Sequence, residues 1–399
     1  MKILVLNCGS SSIKFQVVDM ENENVLIKGT YERIGHEDAF CTYKSGDIKE
    51  KIVKSTLNHS EGIKAILEEI VSDKYGVLKN ISEIEAVGHR VVHGGEKFTE
   101  SILINDEVIK GIEDNKKLAP LHNGANLDGI SAITENLPGV PQVAVFDTAF
   151  HQTMDKVQYI YNIPYEYYEK DRIRKYGFHG TSHRYITDRV YEIKGLKKGD
   201  DLKLITCHLG QGASIAAIKN GKSIDTTMGF TPLAGLPMGT RSGDIDPSVV
   251  TYIGKKYNMT YEELDTMLNK KSGVLGVSGV HSDFRDVEEA AENGNERAKL
   301  ALESNAYNTA RFILGYIGLL GGVDVIAFAG GLGENGPETR EKIMKYLDCF
   351  GIKLDKDKNN VRGKETIISS DDSKAEVWII PTNEEIMIAR DTLNLVKNK

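Results

Sequence analysis

Cysteine is scarce in this chain. Cys8, Cys41, Cys207 and Cys349 are the only four among 399 residues, and they are far apart with no CxxC pair. That spacing supports neither a zinc cluster nor a disulfide framework, and it fits a reducing compartment. Long apolar runs are missing too. Ile3 to Leu6 stops at Asn7, too short for a signal-peptide core, and Phe312 to Val323 carries four glycines before Asp324. A membrane helix needs roughly 20 apolar residues, so a soluble, cytoplasmic protein is expected. Charge of one sign is not in excess: 50 Lys and Arg against 58 Asp and Glu give a net −8. That balance argues against nucleic-acid or anionic-membrane partners. A GxSxG elbow, which a serine hydrolase of the Ser-His-Asp type requires, is also absent. No low-complexity linker interrupts the chain. Its length allows two or three domains at roughly 100 to 200 residues each.

What is present is a repeated grammar. Ile3-Leu4-Val5-Leu6, a polar turn from Asn7 to Ser12, and the alternating run Ile13 to Asp19 read as a β-hairpin. Leu202 to Cys207, the turn His208 to Gly212, and Ala213 to Ile218 repeat it, with Asn220-Gly221 supplying a further hairpin turn. Two such units half a chain apart suggest an internal duplication, and hence two similar domains facing one another with a boundary near residue 150. Helices with 3.6-residue spacing and short buried strands follow each hairpin. The expected helices span Ile63 to Val71, Leu127 to Leu137, Lys299 to Leu320 and Asn383 to Val396; the expected strands span Ile84 to Val87, Gln142 to Phe146 and Val323 to Phe328. The fold class is therefore α/β with mixed sheets.

Several segments carry chemistry. The turn Asn7 to Ser12 offers backbone N–H groups and hydroxyls with Lys14 two residues on, which suits a phosphate, although a solvated hairpin turn is the plainer reading. Gly331, Gly333 and Gly336 fit GxGxxG after a buried strand. Too little chain follows for a dinucleotide fold, so this segment reads as a nucleotide-contacting turn that opens a helix at Pro337. Ala216 to Ser223 nearly matches a P-loop but lies on a strand, and is set aside. Gly229 to Pro247 holds four glycines and three prolines and must be a long ordered loop with Arg241 as its cation; the structural alternative pairs Arg241 with Asp244 or Asp246. Arg90 and Asp147 each close a buried strand, so both point to the ligand-binding edge of an open sheet. His179 and His183 at i, i+4 could start a metal site only with a third ligand, which is not nearby in sequence. Two arginines, an aspartate, histidines, Gly-rich turns and Asn383-Glu384-Glu385 form the set that phosphoryl transfer needs.

At these residues the chain resembles the acetate kinase (acetokinase) family of the acetate and sugar kinase/Hsc70/actin superfamily. The resemblance rests on Asn7-Cys8-Gly9-Ser10-Ser11-Ser12-Ile13-Lys14 and on Met238-Gly239-Thr240-Arg241-Ser242-Gly243-Asp244-Ile245-Asp246-Pro247. Gly177 to His183 and Pro381-Thr382-Asn383-Glu384-Glu385 add to it, and it runs from the first strand to the last helix. The resemblance implies two duplicated actin-like, ribonuclease H-like domains with the active site in the interdomain cleft. The first would span 1–150, completed by a C-terminal helix at about 384–399; the second, nucleotide-binding, would span 151–383. It implies reversible transfer between ATP and acetate, giving acetyl phosphate and ADP, with Mg²⁺ (or Mn²⁺) and by direct in-line attack, in a cytoplasmic homodimer.

Roles carried over are Asn7 and Glu384 for the metal, Lys14 for ATP, and Arg90 for the acetate carboxylate. Val92, Leu121, Phe178 and Pro232 would line the methyl pocket. Asp147 would orient Arg90 and metal-bound water, while His179 and Arg241 would stabilise the moving phosphoryl group. His208, Leu209, Gly210, Gln211 and Gly212, then Asp283, Phe284 and Arg285, then Gly331, Leu332, Gly333, Glu334 and Asn335 would bind the nucleotide. Two departures stand out. The family's HLGNG is His208-Leu209-Gly210-Gln211-Gly212 here, so Gln211 must reach the phosphates with an extra methylene, and TPLEG has become Thr231-Pro232-Leu233-Ala234-Gly235, losing a carboxylate. Alternatives kept open are propionate or butyrate kinase of the same family, a non-catalytic ATP-binding clamp, and an oxidoreductase resting on the single GxGxxG.

Overall fold

The apolar runs at Ile3–Leu6 and Leu204–Cys207 become the inner strands of two separate sheets. The computed structural model describes residues 1–46, 48–54, 56, 58–74 and 76–398, except for the side chains of Pro120 and Leu121. Two compact units divide the chain: Met1–Phe150 with Asn383–Lys399, and His151–Thr382.

In the first unit, β1 (Lys2–Gly9), β2 (Ser12–Asp19), β3 (Asn24–Glu32), β4 (Phe40–Ser45) and β5 (Ile48–Val53) form an antiparallel meander. β6 (Ile84–Val91) then lies parallel to β1, with β8 (Gln142–Phe146) parallel to β6 and the short β7 (Ile102–Leu103) at the edge. The hairpin turn is tighter than the sequence reading allowed. Asn7 and Cys8 pair with Lys14 and Ile13 across the ladder, which leaves only Ser10 and Ser11 at the tip. Cys8 stays in the strand because it is buried beneath Gly129.

Helices His59–Ile70 and Pro120–Asn136 contribute Ile63, Ile66, Ile133 and their neighbours to a core with Leu4, Leu6 and Val87. The C-terminal helix Glu384–Lys397 packs on β6 and β1. It comes so close that a Cβ on Gly88 would sit 2.4 Å from Thr392 Oγ1 and 2.6 Å from Ile388 Cγ2, so only glycine fits there.

The second unit repeats the plan. β9 (Lys203–Leu209), β10 (Ala213–Lys219) and β11 (Lys222–Thr226) form the meander, and β12 (Val325–Ala329) lies parallel to β9. β13 (Thr366–Ile367) sits at the edge beside β14 (Glu376–Ile379), which is parallel to β12. The order β3-β2-β1-β6-β8 thus recurs as β11-β10-β9-β12-β14 with the same strand directions. This is the duplication in topological form, and it makes the protein an α/β molecule of two mixed sheets flanked by helices. Asn220 and Gly221 both adopt positive φ, at 54° and 78°, in the two-residue turn before β11. One expectation needs correction: the glycines after β12 form a short helix, Gly330–Asn335, before the helix Pro337–Met344, rather than a bare turn. Among the described residues no helix is long and apolar enough to cross a membrane.

His89 and His151 are almost wholly buried, His89 beside Gln142 Oε1 at 2.8 Å and His151 donating from Nε2 to the Phe178 carbonyl at 3.0 Å. Burial pushes both down from 6.5 to about 4. The unfolded chain therefore takes up protons below pH 6.5 that the folded chain refuses, so stability falls as pH drops from 6.5 towards 4. Each histidine should cost about 2 kcal/mol between about pH 7.5 and about pH 5, read from urea midpoints. His89→Gln should flatten that slope; an unchanged slope would contradict the assignment.

Candidate functional site

In the first unit three parallel strands end side by side. β1 places Asn7, β6 places Arg90, and β8 runs directly into Asp147. This is the carboxyl edge, where open sheets bind ligands. The Arg90 Nε donates to Asp147 Oδ1 at 2.9 Å, Nη2 donates to Oδ2 at 2.5 Å, and Nη1 donates to Asn7 Oδ1 at 3.2 Å. Asp147 is 1% exposed and Arg90 23%. Burial alone would lower the Arg90 pKa, but the Asp147 carboxylate outweighs it and holds the guanidinium above its ordinary 12.5. Asp147 thus occupies the Nε–Nη2 edge of the guanidinium, and Asn7 takes one of the two Nη1 hydrogens.

Glu384 opens the C-terminal helix, behind Asn383, whose side chain accepts from the Ile386 N–H at 3.1 Å. Burial pushes the Glu384 carboxyl up to about 7; Arg90 and Lys14 pull it down, while Asp147 and Glu385 push it further up. Lys14 itself is exposed on β2, opposite Asn7. The structure therefore gathers Asn7, Arg90, Asp147 and Glu384. Their oxygen donors are the hard type that Mg²⁺ accepts when one or two protein groups and phosphate oxygens share it. Among the described residues no set of three His, Cys, Asp or Glu side chains forms a metal site.

The second unit holds the other candidates. His179 caps the helix Gly180–Ile193 in a left-handed conformation, φ 55°. Its Nδ1 lies 2.8 Å from Ser214 Oγ, and its ring stands 4.3 Å from that of His208. His208 Nδ1 is in turn 2.7 Å from Ser182 Oγ. Arg241 donates to the Pro232 carbonyl at 3.2 Å and touches Met238 Sδ at 3.6 Å. The expected alternative of an ion pair is not formed: Asp244 accepts from Gly235 N–H at 2.8 Å, and Asp246 caps the next helix through Ser248 N–H at 2.8 Å. Burial lowers the Arg241 pKa, and among the described residues no carboxylate offsets it. A Cβ on Gly212 would lie 3.3 Å from His179 Nε2 and 3.5 Å from Arg241 Nη1. The absent side chain therefore leaves room at the point where both groups converge.

Beside them is a cleft of about 370 Å³. Gly210, Gln211, Gly331, Leu332 and Asn335 line it, as do Asp283, Phe284 and Arg285. Arg285 forms an ion pair with Asp283 at 2.6 Å, and that hydrogen-bonded pairing holds Asp283 down at about 2. Six expected nucleotide residues do not line this cleft; one of them, Lys14, lies in the first unit. Leu209 is core, Gly333 packs against β9, and Glu334 Oε1 accepts from the Gly330 and Thr382 N–H groups as an anchor. His208 and Gly212 belong with His179 instead.

Glu288 and Arg362 line the cleft and were not assigned from the sequence; Gly336, the last glycine of the GxGxxG segment read as nucleotide-contacting, lines it too. Glu288 had a usable signal, since it follows Phe284 by four residues on the helix Phe284–Glu292 and shares its face. Gln211, which lines the cleft as expected of a nucleotide-facing residue, donates from Nε2 to the Ser282 carbonyl at 3.1 Å. Ala234 brings no carboxylate, and the N–H of the adjacent Gly235 is held by Asp244. Of the expected methyl-pocket residues, Val92 is buried in the first unit, and Phe178 and Pro232 lie in the second. The Leu121 side chain is outside the described residues.

The model of the acetokinase family matches residues 2–390. The acetate kinase of Caldanaerobacter subterraneus subsp. tengcongensis is 60% identical over 399 residues, covering 100% of this chain and 99% of that protein. Among solved structures, Porphyromonas gingivalis acetate kinase aligns with a TM-score of 0.96 at 48% identity, covering 99% of both chains. A propionate kinase from Francisella tularensis subsp. tularensis aligns with a TM-score of 0.93 at 42% identity, again over 99% of both.

The buried pair in the first unit has a stability consequence of its own. Asp147→Ala leaves Arg90 charged and unpaired, which should destabilise the protein by about 3–5 kcal/mol. Removing both charges, as Arg90→Met with Asp147→Ala, should recover much of that loss. Urea unfolding of the two variants beside wild type measures this, and a single Asp147→Ala within about 1 kcal/mol of wild type would refute the pairing.

Proposed function

The chain belongs to the acetokinase family, and from that premise we propose that it is an acetate kinase, moving the γ-phosphoryl group of ATP to acetate and back. The single observation that carries the reading is Arg241, half-buried without a carboxylate and converging with His179 Nε2 on the space beside Gly212. A desolvated cation of this kind is stabilised by an anion. Phosphoryl transfer supplies one whose charge spreads over three equatorial oxygens as the bond to the leaving oxygen loosens.

In this reading the cleft lined by Gly210, Phe284 and Gly331 takes ADP or ATP. Arg90 holds the acetate carboxylate through the side of its guanidinium that Asp147 leaves uncovered. One carboxylate oxygen attacks the γ-phosphorus, the bond to the β-phosphate oxygen breaks, and ADP leaves as acetyl phosphate forms. Arg241 and His179 hold the equatorial oxygens during that exchange. Asn7 and Glu384 would hold the family's metal, taken here as Mg²⁺ with Mn²⁺ as a substitute, which would neutralise phosphate charge. Lys14 is assigned to the donor's phosphates. Val92, Leu121, Phe178 and Pro232 are assigned to the acyl group. Transfer is direct, the working form is a homodimer, and the compartment is the cytoplasm.

The propionate kinase likeness bears on acyl specificity. One methylene in an apolar pocket is worth about 1–3 kcal/mol, so propionate should also be accepted, less well than acetate.

Purified protein with ATP and Mg²⁺, trapped with hydroxylamine, should yield acyl hydroxamate with acetate, less with propionate and least with butyrate. ATP binding without acid-dependent ADP release would replace the kinase with a nucleotide-binding clamp. Arg241→Ala should lower kcat on the order of 10³-fold. Gly212→Ala should also lower it while leaving the urea midpoint unchanged, because its Cβ fills the transfer space without meeting backbone. A chiral phosphoryl donor should show inversion at phosphorus; net retention would exclude direct transfer.

A further inference from the structure

His179 is the outer end of a buried chain of hydrogen bonds. Thr206 in β9, His183 on the helix Gly180–Ile193 and Ser214 in β10 are all 0% exposed. Thr206 Oγ1 lies 2.7 Å from His183 Nδ1, His183 Nε2 lies 2.7 Å from Ser214 Oγ, and Ser214 Oγ lies 2.8 Å from His179 Nδ1. Among the described residues Thr206 Oγ1 has no other hydrogen-bond partner.

The hydrogens of this chain can be counted. His183 is neutral, because burial, with His151 and His208 nearby, keeps its pKa well below 6.5. A neutral imidazole carries one N–H and one lone pair, and each hydroxyl has a single hydrogen. Suppose first that His183 is protonated at Nδ1. It then donates to Thr206, and Ser214 donates to His183 Nε2 and accepts from His179 Nδ1–H. In that arrangement the buried Thr206 hydroxyl hydrogen has no acceptor, a loss that typically weakens a state by several-fold or more. The reverse direction uses every hydrogen. Thr206 O–H donates to His183 Nδ1, His183 Nε2–H donates to Ser214 Oγ, and Ser214 O–H donates to His179 Nδ1. His179 must then carry its own proton on Nε2, the nitrogen nearest Gly212 and Arg241.

We infer that Thr206, His183 and Ser214 are positioning residues that hold His179 in the neutral tautomer protonated at Nε2, with that N–H on the side of the ring nearest Arg241. The nitrogen that bears the proton is set by the bond the other nitrogen makes. A neutral donor also avoids placing an imidazolium next to the Arg241 guanidinium, where like charge would oppose it. The catalytic meaning of the chain rests on the phosphoryl-transfer reading; the tautomer does not.

The test is two-bond ¹⁵N–¹H correlation spectroscopy on full-length protein labelled in histidine, with His179 assigned by comparison with His179→Asn. Both His179 and His183 should be protonated at Nε2 at about pH 7.5, and Nδ1 protonation of either ring overturns the inference. Kinetics give a second arm. Ser214→Ala should lower kcat at least about tenfold, with KM for ATP within about twofold, and should leave His179 a mixture of tautomers. Thr206→Val should also lower kcat, while Thr206→Ser, which keeps the hydroxyl, should stay within about twofold of wild type. Unchanged kcat and an unchanged His179 signal in Ser214→Ala would overturn the relay. If Ser214→Ala does not fold, the wild-type spectrum decides alone. Absence of acyl phosphate formation by wild type would remove the transfer reading and leave the tautomer result standing.

Discussion

A guanidinium taken out of water has to be answered by something, and this protein answers three of them in three ways. Arg90 is met by a carboxylate, Asp147, across one edge of its fork. Arg340 is fully buried and satisfied only by neutral acceptors: Asn359 Oδ1 at 2.8 Å and the carbonyls of Gly333, Asn359 and Val361. Burial, with Arg362 nearby, lowers its pKa to about 10, against a weaker upward pull from Glu338. Its reward is structural, since it ties the short helix that walls the cleft to the segment leading to Arg362. Among the described residues Arg241 has one carbonyl, one sulfur and no anion. Of the three it has the most to gain from a ligand of negative charge, and the proposed transfer chemistry uses that deficit.

The same economy explains where these groups stand. Each sheet is an antiparallel meander extended by parallel strands, and a parallel strand ends at the edge where the backbone has run out of partners. In the first unit that edge receives Asn7, Arg90 and Asp147. In the second it receives His208 and, after β12, the glycines that line the cleft. Duplication of one topology thus yields two edges of the same geometry with different chemistry, and the side chains alone distinguish a carboxylate-paired cation from a glycine-lined cleft.

Most of this plan was legible because it is written locally. The two hairpins follow from apolar alternation and small turn residues, and the Asn220-Gly221 turn from the positive φ both residues tolerate. The helices His59–Ile70, Glu296–Leu320 and Glu384–Lys397 follow from their 3.6-residue spacing. The extent of the first turn was misread because Asn7 and Cys8 are polar or small yet paired in the ladder; cross-strand partners are not visible in composition. The glycines at 330 to 336 were read as a turn because glycine disfavours helix, whereas the fold carries them in a single short helical segment whose Gly330 N–H is held by Glu334. Glu288 and Arg362 reach the cleft from elements 50 to 150 residues from the Gly-rich turn of β9, on the order of distances that only tertiary structure closes.

Arg241 shows most plainly where sequence reasoning stops. Its neighbours Asp244 and Asp246 offer an ion pair as the structural alternative, and charge alone favours it. Backbone demand decides otherwise: a loop without regular structure from 227 to 246 leaves N–H groups that must find acceptors, and a helix start at Pro247 needs a cap. Asp244 and Asp246 meet those two demands through Gly235 and Ser248. The loop's own folding thereby consumes both nearby carboxylates, and the guanidinium is left without an ion pair among the described residues. The feature that makes this loop look over-supplied with turn residues is thus the one that keeps its arginine available.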